Sequence, residues 1–369
     1  MTLIGVISPN DFPVMFGDLL ISGPTPPSEM DLPIGGQIRK FESDTQYWYA
    51  SSLRQKLALI SPNLAVAWSG SAIAARAVIT DIRDAFGDRR LSATDFFNVL
   101  DRLDYPEKND VSLIGLSIDS DERLHRFSHQ ATPQFLGASG NAYLAGSGVE
   151  DFAQHLARFD LSRTRVSGEM NIMETAVGHV LAYASQIVFN EVLNQSNLGS
   201  YYGGGYEFIS LVKDGDGSSA RLQKVPTITY MFWERTDASS GECRLIPIII
   251  SFQYRGDLLV ITRLVAEDVR DYRGHLLFKK EIKVHFVSPV YGYHKPVGLL
   301  EEPILPPRTP LFLVAFIAAR EAESMRVGML IKKSTLAVRF EDPSSLKVDV
   351  EFDGEYLDEV KGVAAGLQV

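Results

Sequence analysis

The sequence has little cysteine and a deficit of positive charge. Cys243 is the one cysteine in 369 residues, so no disulfide can form within the chain. This excludes a small secreted fold built on disulfides and fits a reducing compartment. Lysine and arginine number 36 against 46 aspartates and glutamates, which gives a formal net charge of −10. This balance, with no Lys/Arg-rich run, argues against nucleic acid or an anionic membrane as the main partner.

Targeting and membrane signals are also lacking. The apolar runs "LIPIIISF" and "LFLVAFIAA" are too short to span a bilayer. Asp11 and Asp18 lie where a signal peptide would need a basic start followed by an apolar stretch. We therefore expect a cytoplasmic protein with no membrane partner.

Hydrophobic residues make up 45% of the sequence, and 369 residues are enough for two domains. The runs "TLIGVIS" and "FPVMFGD" predict a first hairpin, and "KLALIS" and "LAVAWSG" predict a second. Between them, residues 22–55 are expected to form a long loop or insertion. Two helices, a third strand pair, two more helices and further strands follow. This order is typical of two packed sheets with helices outside them rather than of strict α/β alternation.

The residue pattern of the sequence changes near Pro226, where long strand-like runs begin. One helix is predicted there, at "LFLVAFIAAREAESM". We predict a first domain at residues 1–220 and a β-rich accessory domain of unknown role at 221–369. His125 and His129 lie four apart in a strand-like run without a third ligand nearby, so neither a metal site nor a cofactor is predicted.

Five segments in order give the first 215 residues a resemblance to a known family: "TLIGV", "FGD", "KLALISPNLAVAWSG", "LIGLSID…RLHRFS" and "YLAGSGVEDFA". The chain resembles the N-terminal nucleophile (Ntn) hydrolases of the proteasome β-subunit and HslV type. The resemblance implies an α+β fold, a four-layer αββα sandwich, to which the region after residue 225 would be appended.

The resemblance also implies a chemistry centred on Thr2. A threonine hydroxyl is a poor nucleophile until a base removes its proton. If Met1 is removed, Thr2 supplies both the hydroxyl and an α-amine, whose pKa of about 7.7–8.0 suits a general base. Initiator methionine is normally cleaved ahead of small residues, so no propeptide is needed.

The remaining site residues follow from the same resemblance. Asp18 would orient a lysine beside Thr2, and Lys56 is the first choice for that lysine, with Lys40 as a rival because of the insertion before residue 56. The N–H of Gly70 would bind the oxyanion, and Ser147 would relay protons. Ser200 is the closest match to an acid that the family has before a "YSGG"-like turn, in the stretch "SNLGSYYGGGYE".

Each assignment has a plain structural alternative. Asp18 can be a turn acid, Lys56 a solvated residue at a strand end, and Ser147 a helix cap. The leading hypothesis is an amide hydrolase, a threonine peptidase that acts through an acyl-enzyme on Thr2. The alternatives are a catalytically inactive scaffold and an amidase for small molecules. The resemblance implies a peptide or amide substrate, homo-oligomers and an ATPase as a further partner.

Overall fold

The computed structural model describes residues 2–24, 30–34, 36–37, 49–86, 92–102, 106–135, 141–158, 163–194, 198, 202–213, 219–236, 242–271, 274–292, 311–320, 325–340 and 347–367. Helices and strands are both present, so the predicted α+β class is confirmed.

The strands, in chain order, are β1 (Ile4–Ile7), β2 (Val14–Asp18), β3 (Leu20–Gly23), β4 (Asp31–Leu32), β5 (Gly36–Gln37), β6 (Tyr49–Leu53), β7 (Leu57–Ser61), β8 (Leu64–Gly70), β9 (Val111–Ile118), β10 (Leu124–His129), β11 (Thr132–Phe135), β12 (Asn141–Ala145), β13 (Thr164–Ser167), β14 (Tyr206–Lys213), β15 (Ala220–Lys224), β16 (Thr227–Arg235), β17 (Cys243–Arg255), β18 (Leu258–Asp271), β19 (Gly274–Val287), β20 (Leu311–Arg320), β21 (Met325–Ser334), β22 (Leu336–Phe340) and β23 (Lys347–Phe352). The α-helices are α1 (Ala72–Phe86), α2 (Ala93–Arg102), α3 (Val149–Arg158), α4 (Ile172–Asn194) and α5 (Gly354–Gly366).

The chain forms two compact units. The first contains Met1–Arg158, Ile172–Val225 and Val287–His294, and the second contains the remaining segments. The predicted division between residues 220 and 221 falls at the start of β15.

Two antiparallel sheets build the first unit. One has the order β11-β12-β1-β2-β14-β15 and the other β10-β9-β8-β7. Both predicted N-terminal hairpins are present, with Ile4 opposite Gly17 in one and Leu57 opposite Ala67 in the other. Successive side chains of a strand point to opposite faces, and those on one face of each sheet, such as Ile4 and Val6 of β1 and Ala65 and Ala67 of β8, pack in a shared core.

The helices of the first unit cover the other faces of the sheets. Apolar side chains of α1 and α2 pack with those of β7, β8 and β9 on the face away from the shared core. On the six-stranded sheet, α4 contacts β2 and β14, and the Phe152 ring of α3 lies 5.1 Å from that of Phe16. Ser92 caps α2 by accepting a hydrogen bond from the Asp95 N–H at 3.2 Å.

The long helix that the sequence predicts at about residues 169–195 is present as α4, Ile172–Asn194. Its segment Ile172–Leu193 contains an 18-residue stretch with the length and mean hydropathy, 1.2, of a membrane span, yet 72% of that stretch is buried inside the protein. That share is typical of a helix in a protein core.

The insertion at residues 22–55 is only partly a loop, which corrects the prediction. β3 pairs with β6 and β4 with β5, and Leu20, Leu32 and Ala50 form a small core with Leu198. The sequence does not predict this core, because the stretch "SGPTPPSEMDLPIGG" around Leu32 is typical of a loop.

The second unit is a nine-stranded sheet with the order β13-β21-β20-β16-β17-β18-β19-β23-β22 and the helix α5. The predicted helix "LFLVAFIAAREAESM" is wrong, because Leu311–Arg320 is the strand β20. It lies between β16 and β21, with all but its last residue buried. A strand buried on both faces is apolar throughout, so its pattern does not differ from that of a buried helix.

Candidate active site

The N-terminal hairpin places Thr2 against Asp18. Because Ile4 lies opposite Gly17, Asp18 reaches the backbone just ahead of β1, and its N–H donates to the Leu3 carbonyl at 3.0 Å. In return, the Leu3 N–H donates to Asp18 Oδ1 at 2.9 Å, and the Thr2 hydroxyl donates to the same oxygen. Thr2 is 1% and Asp18 0% exposed. The carboxylate is therefore oriented by backbone as well as by Thr2.

Lys56 completes a group of three with these residues. Its Nζ donates to Thr2 Oγ1 at 2.8 Å and to the Leu20 carbonyl at 2.9 Å, and lies 3.9 Å from Asp18 Oδ1. It also lies 4.7 Å from the centroid of the Trp68 ring, over which a cation is favoured. Lys56 is 1% exposed, so it is not a solvated residue at a strand end. The rival Lys40 lies outside the described residues.

Burial moves the two charged groups toward their neutral forms. It raises the pKa of the Asp18 carboxyl, against the lowering effects of the Lys56 ammonium and of hydrogen bonds from Thr2, Leu3 and Gly203. It lowers the pKa of Lys56, against the negative charge of Asp18 and a further carboxylate described below. The lysine is thereby brought closer to the pH range in which general acid–base catalysts operate.

The segment after β12 encloses the backbone of Thr2. Thr2 N donates to Ser147 Oγ at 3.2 Å, and the Gly148 N–H donates to the Thr2 carbonyl at 3.2 Å. Gly146 has a φ of +105°, and a Cβ there would lie 2.0 Å from the Thr2 carbonyl oxygen. Glycine is required at 146 by both its conformation and this close approach. Ser147 is itself exposed, so solvent comes near this side of Thr2.

Gly70 has a structural role that is separate from any catalytic one. Its φ is +100°, and a Cβ would lie 2.1 Å from the Asp110 carbonyl oxygen. It ends β8 two residues after Trp68, whose N–H donates to the Lys56 carbonyl. At about 3.3 Å per strand residue, Gly70 therefore lies roughly 7 Å along β8 from the point opposite Lys56. Binding of an oxyanion by its N–H stays a prediction.

Ser200 lies outside the described residues, but the glycines that follow it form part of the site. Gly203, Gly204 and Gly205 all have positive φ. The Gly203 N–H donates to Asp18 Oδ2 at 3.0 Å, and the Gly204 N–H donates to both carboxylate oxygens of Glu191 at 3.0 and 3.2 Å. The two buried carboxylates thus hold this turn in place.

Sequence reasoning missed three participants: Trp68, Glu191 and Glu207. Glu207, in β14, accepts hydrogen bonds from the N–H groups of Lys56 and Leu57, the latter at 2.8 Å. A signal for it existed, because "GGGYEFISLV" places one glutamate in an otherwise apolar strand. Within the described residues, no group of three or more His, Cys, Asp or Glu side chains could hold a metal ion.

The geometry defines a class of site: a threonine at the start of a strand, held between a buried carboxylate and a buried ammonium. No family model matches the chain, and no curated protein is significantly similar to it.

Proposed function

We propose that the protein is an Ntn hydrolase of the proteasome β-subunit and HslV type that cleaves amide bonds with Thr2. The observation that carries the proposal is the placement of Thr2 Oγ1, which donates to Asp18 and accepts from Lys56 Nζ at 2.8 Å inside the protein. The two sheets with a shared core and helices on both outer faces support a four-layer αββα sandwich.

The reaction requires that the bond between residues 1 and 2 be cut. Thr2 N, which lies beside Ser147 Oγ, then becomes the α-amine that accepts the hydroxyl proton. Thr2 Oγ1 attacks the substrate carbonyl, the C–N bond breaks, and the amine product leaves with a proton. Water then hydrolyses the ester on Thr2, which restores the hydroxyl.

Lys56 and Asp18 tune this chemistry. The Lys56 ammonium stabilises the oxygen of Thr2 as it loses its proton, and it lowers the proton affinity of the nearby amine. Asp18 orients Thr2 and balances the charge of the lysine. Ser147 is the proton relay and the Gly70 N–H the oxyanion donor of the proposal. Homo-oligomers, an ATPase partner and a cytoplasmic location belong to the same proposal.

An inactive scaffold is the second candidate, favoured by the 1% exposure of Thr2. A substrate carbonyl has to reach a hydroxyl that is covered on nearly all sides. Ser147, whose Oγ lies 3.2 Å from Thr2 N, is exposed, so solvent comes near Thr2 on that side.

The experiment is covalent labelling followed by intact-mass analysis and peptide mapping. A peptidyl epoxyketone closes a ring with both the hydroxyl and the amine of an N-terminal threonine, so it reports on both groups at once. We expect an adduct on Thr2 in a chain that has lost residue 1, retention of the adduct in Thr2→Ser, and its loss in Thr2→Ala. A chain that keeps residue 1 and stays unlabelled refutes the proposal and supports the scaffold. Parallel assays with peptides and small amides separate a peptidase from an amidase.

A further inference from the structure

Glu207 is a buried carboxylate that the proposed chemistry does not use. It is 2% exposed and belongs to β14, in the six-stranded sheet. Its Oε1 accepts hydrogen bonds from the backbone N–H groups of Lys56 and Leu57, at the start of β7 in the four-stranded sheet. One side chain therefore joins the two sheets at the point where the lysine begins its strand.

Gly17 of β2, which pairs with Glu207, leaves room for the contact between Lys56 and the six-stranded sheet. A Cβ at Gly17 would lie 3.0 Å from Lys56 Cβ and 3.1 Å from Leu57 Cδ2, which is tighter than ordinary side-chain packing. The missing side chain at residue 17 lets the Lys56 backbone approach β2, and the carboxylate at residue 207 fixes it there.

Glu207 also supplies negative charge to the surroundings of the lysine. The charged groups that act on Lys56 are Asp18 and Glu207, and both favour its protonated form. The other described groups in contact with Nζ are uncharged: the Thr2 hydroxyl, the Leu20 carbonyl and the Trp68 ring.

We propose that Glu207 is a positioning residue for Lys56, which binds the backbone at the start of β7, aligns the ammonium with Thr2 and keeps a second negative charge near it. The effect on Lys56 stands whether or not the protein is a hydrolase, while the effect on reactivity rests on the proposed function. The simpler interpretation is that Glu207 only satisfies two backbone N–H groups of an edge strand. The two interpretations differ in what happens when the charge is removed but an acceptor oxygen is kept.

The test is the titration of Lys56 by NMR in the full chain carrying ¹³C at lysine Cε, with the signal assigned by Lys56→Arg. Glu207→Gln keeps an acceptor oxygen and loses the charge. Glu207→Asp keeps the charge but, because its side chain is one methylene shorter, holds the carboxylate farther from the start of β7. Glu191→Gln is the matched control, because Glu191 is also buried and its carboxylate also accepts a backbone N–H, that of Gly204 rather than that of Lys56.

We expect the pKa of Lys56 to fall in Glu207→Gln, to fall less in Glu207→Asp, and to stay unchanged in Glu191→Gln. If labelling of Thr2 occurs, the high-pH limb of its rate moves to lower pH in the same order, because the ammonium is lost earlier. Should Glu207→Gln fail to fold, the shift in Glu207→Asp still decides the matter.

An unchanged pKa in either folded Glu207 variant overturns the proposal, even if the amides of Lys56 and Leu57 exchange faster, since that is the result of a purely structural role. An equal shift in Glu191→Gln overturns it as well. If the pKa of Lys56 falls as expected while the native chain resists every threonine-directed reagent, the positioning role stands and the hydrolase proposal fails.

Discussion

Removal of the Asp18 carboxylate is expected to cost the first unit much of its stability. In Asp18→Ala, the Leu3 and Gly203 N–H groups lose their acceptors, and the Lys56 ammonium stays buried without its ion-pair partner. Removing one partner of a buried ion pair lowers the free energy of unfolding by about 3–5 kcal/mol. Each backbone N–H left unsatisfied costs about 1–3 kcal/mol before water enters or the backbone relaxes. Because these terms overlap, we expect a loss of about 4 kcal/mol in the free energy of unfolding, a large part of the roughly 5–15 kcal/mol of a typical domain.

The double variant Asp18→Ala/Lys56→Met isolates the contribution of charge. It removes the unpaired ammonium, so it should be more stable than Asp18→Ala by about 2–3 kcal/mol, although the same two N–H groups remain without acceptors. Lys56→Met alone leaves a buried carboxylate with three hydrogen-bond donors, and should lose less than Asp18→Ala.

The measurement has to follow the first unit by itself, because two units need not unfold together. Urea unfolding with pulsed hydrogen exchange, read from peptides of β7 and β8, reports on the strands next to Lys56. A loss below about 1 kcal/mol in Asp18→Ala, or a double variant no more stable than the single one, would show that the buried charges are not coupled as described.

Two further predictions concern Thr2 and the pH dependence of stability. Gly146→Ala forces a Cβ to within 2.0 Å of the Thr2 carbonyl oxygen and should lower the rate of Thr2 labelling at least about tenfold. The control is Gly256→Ala, which also lies at positive φ but has nothing within 4 Å of the added Cβ, and it should leave the labelling rate unchanged. Equal labelling rates in the two variants would contradict the close approach at residue 146. Burial lowers the pKa of His155 below its ordinary 6.5, so its contribution to stability is present above that pH and is lost as the pH falls toward the lower folded-state pKa. His155→Leu should therefore flatten the decline of the urea midpoint between about pH 7 and 5, and an equally steep decline would refute this.

The part of the site that is local in sequence could be predicted. Thr2 and Asp18 are brought together by the β1–β2 hairpin, so two strand-like runs separated by the turn residues "PND" suffice to predict that they lie close to each other. Ser147 follows a strand that pairs with β1, and the "GSG" turn before a helix marks its position.

The long-range part could not be predicted, for two physical reasons. Spacing alone left Lys56 and Lys40 as alternatives, since loop-closure entropy changes little with the length of an insertion, and either residue could return to the site. The contacts of Glu207 and Glu191 depend on how two sheets and a helix pack, and a single sequence does not show which backbone amides a buried carboxylate will meet.

The cost of this cluster is itself an argument about function. Three charged side chains, Asp18, Lys56 and Glu207, are buried to 2% exposure or less around a single threonine. Buried ion pairs contribute little net stability, and apolar residues of the same volume would serve a scaffold equally well or better. The double variant above puts this to the test, since a protein that keeps its fold without the Asp18–Lys56 pair does not need that pair for folding. Such a variant would no longer have the carboxylate and the ammonium that polarise the Thr2 hydroxyl, and labelling of Thr2 detects that loss.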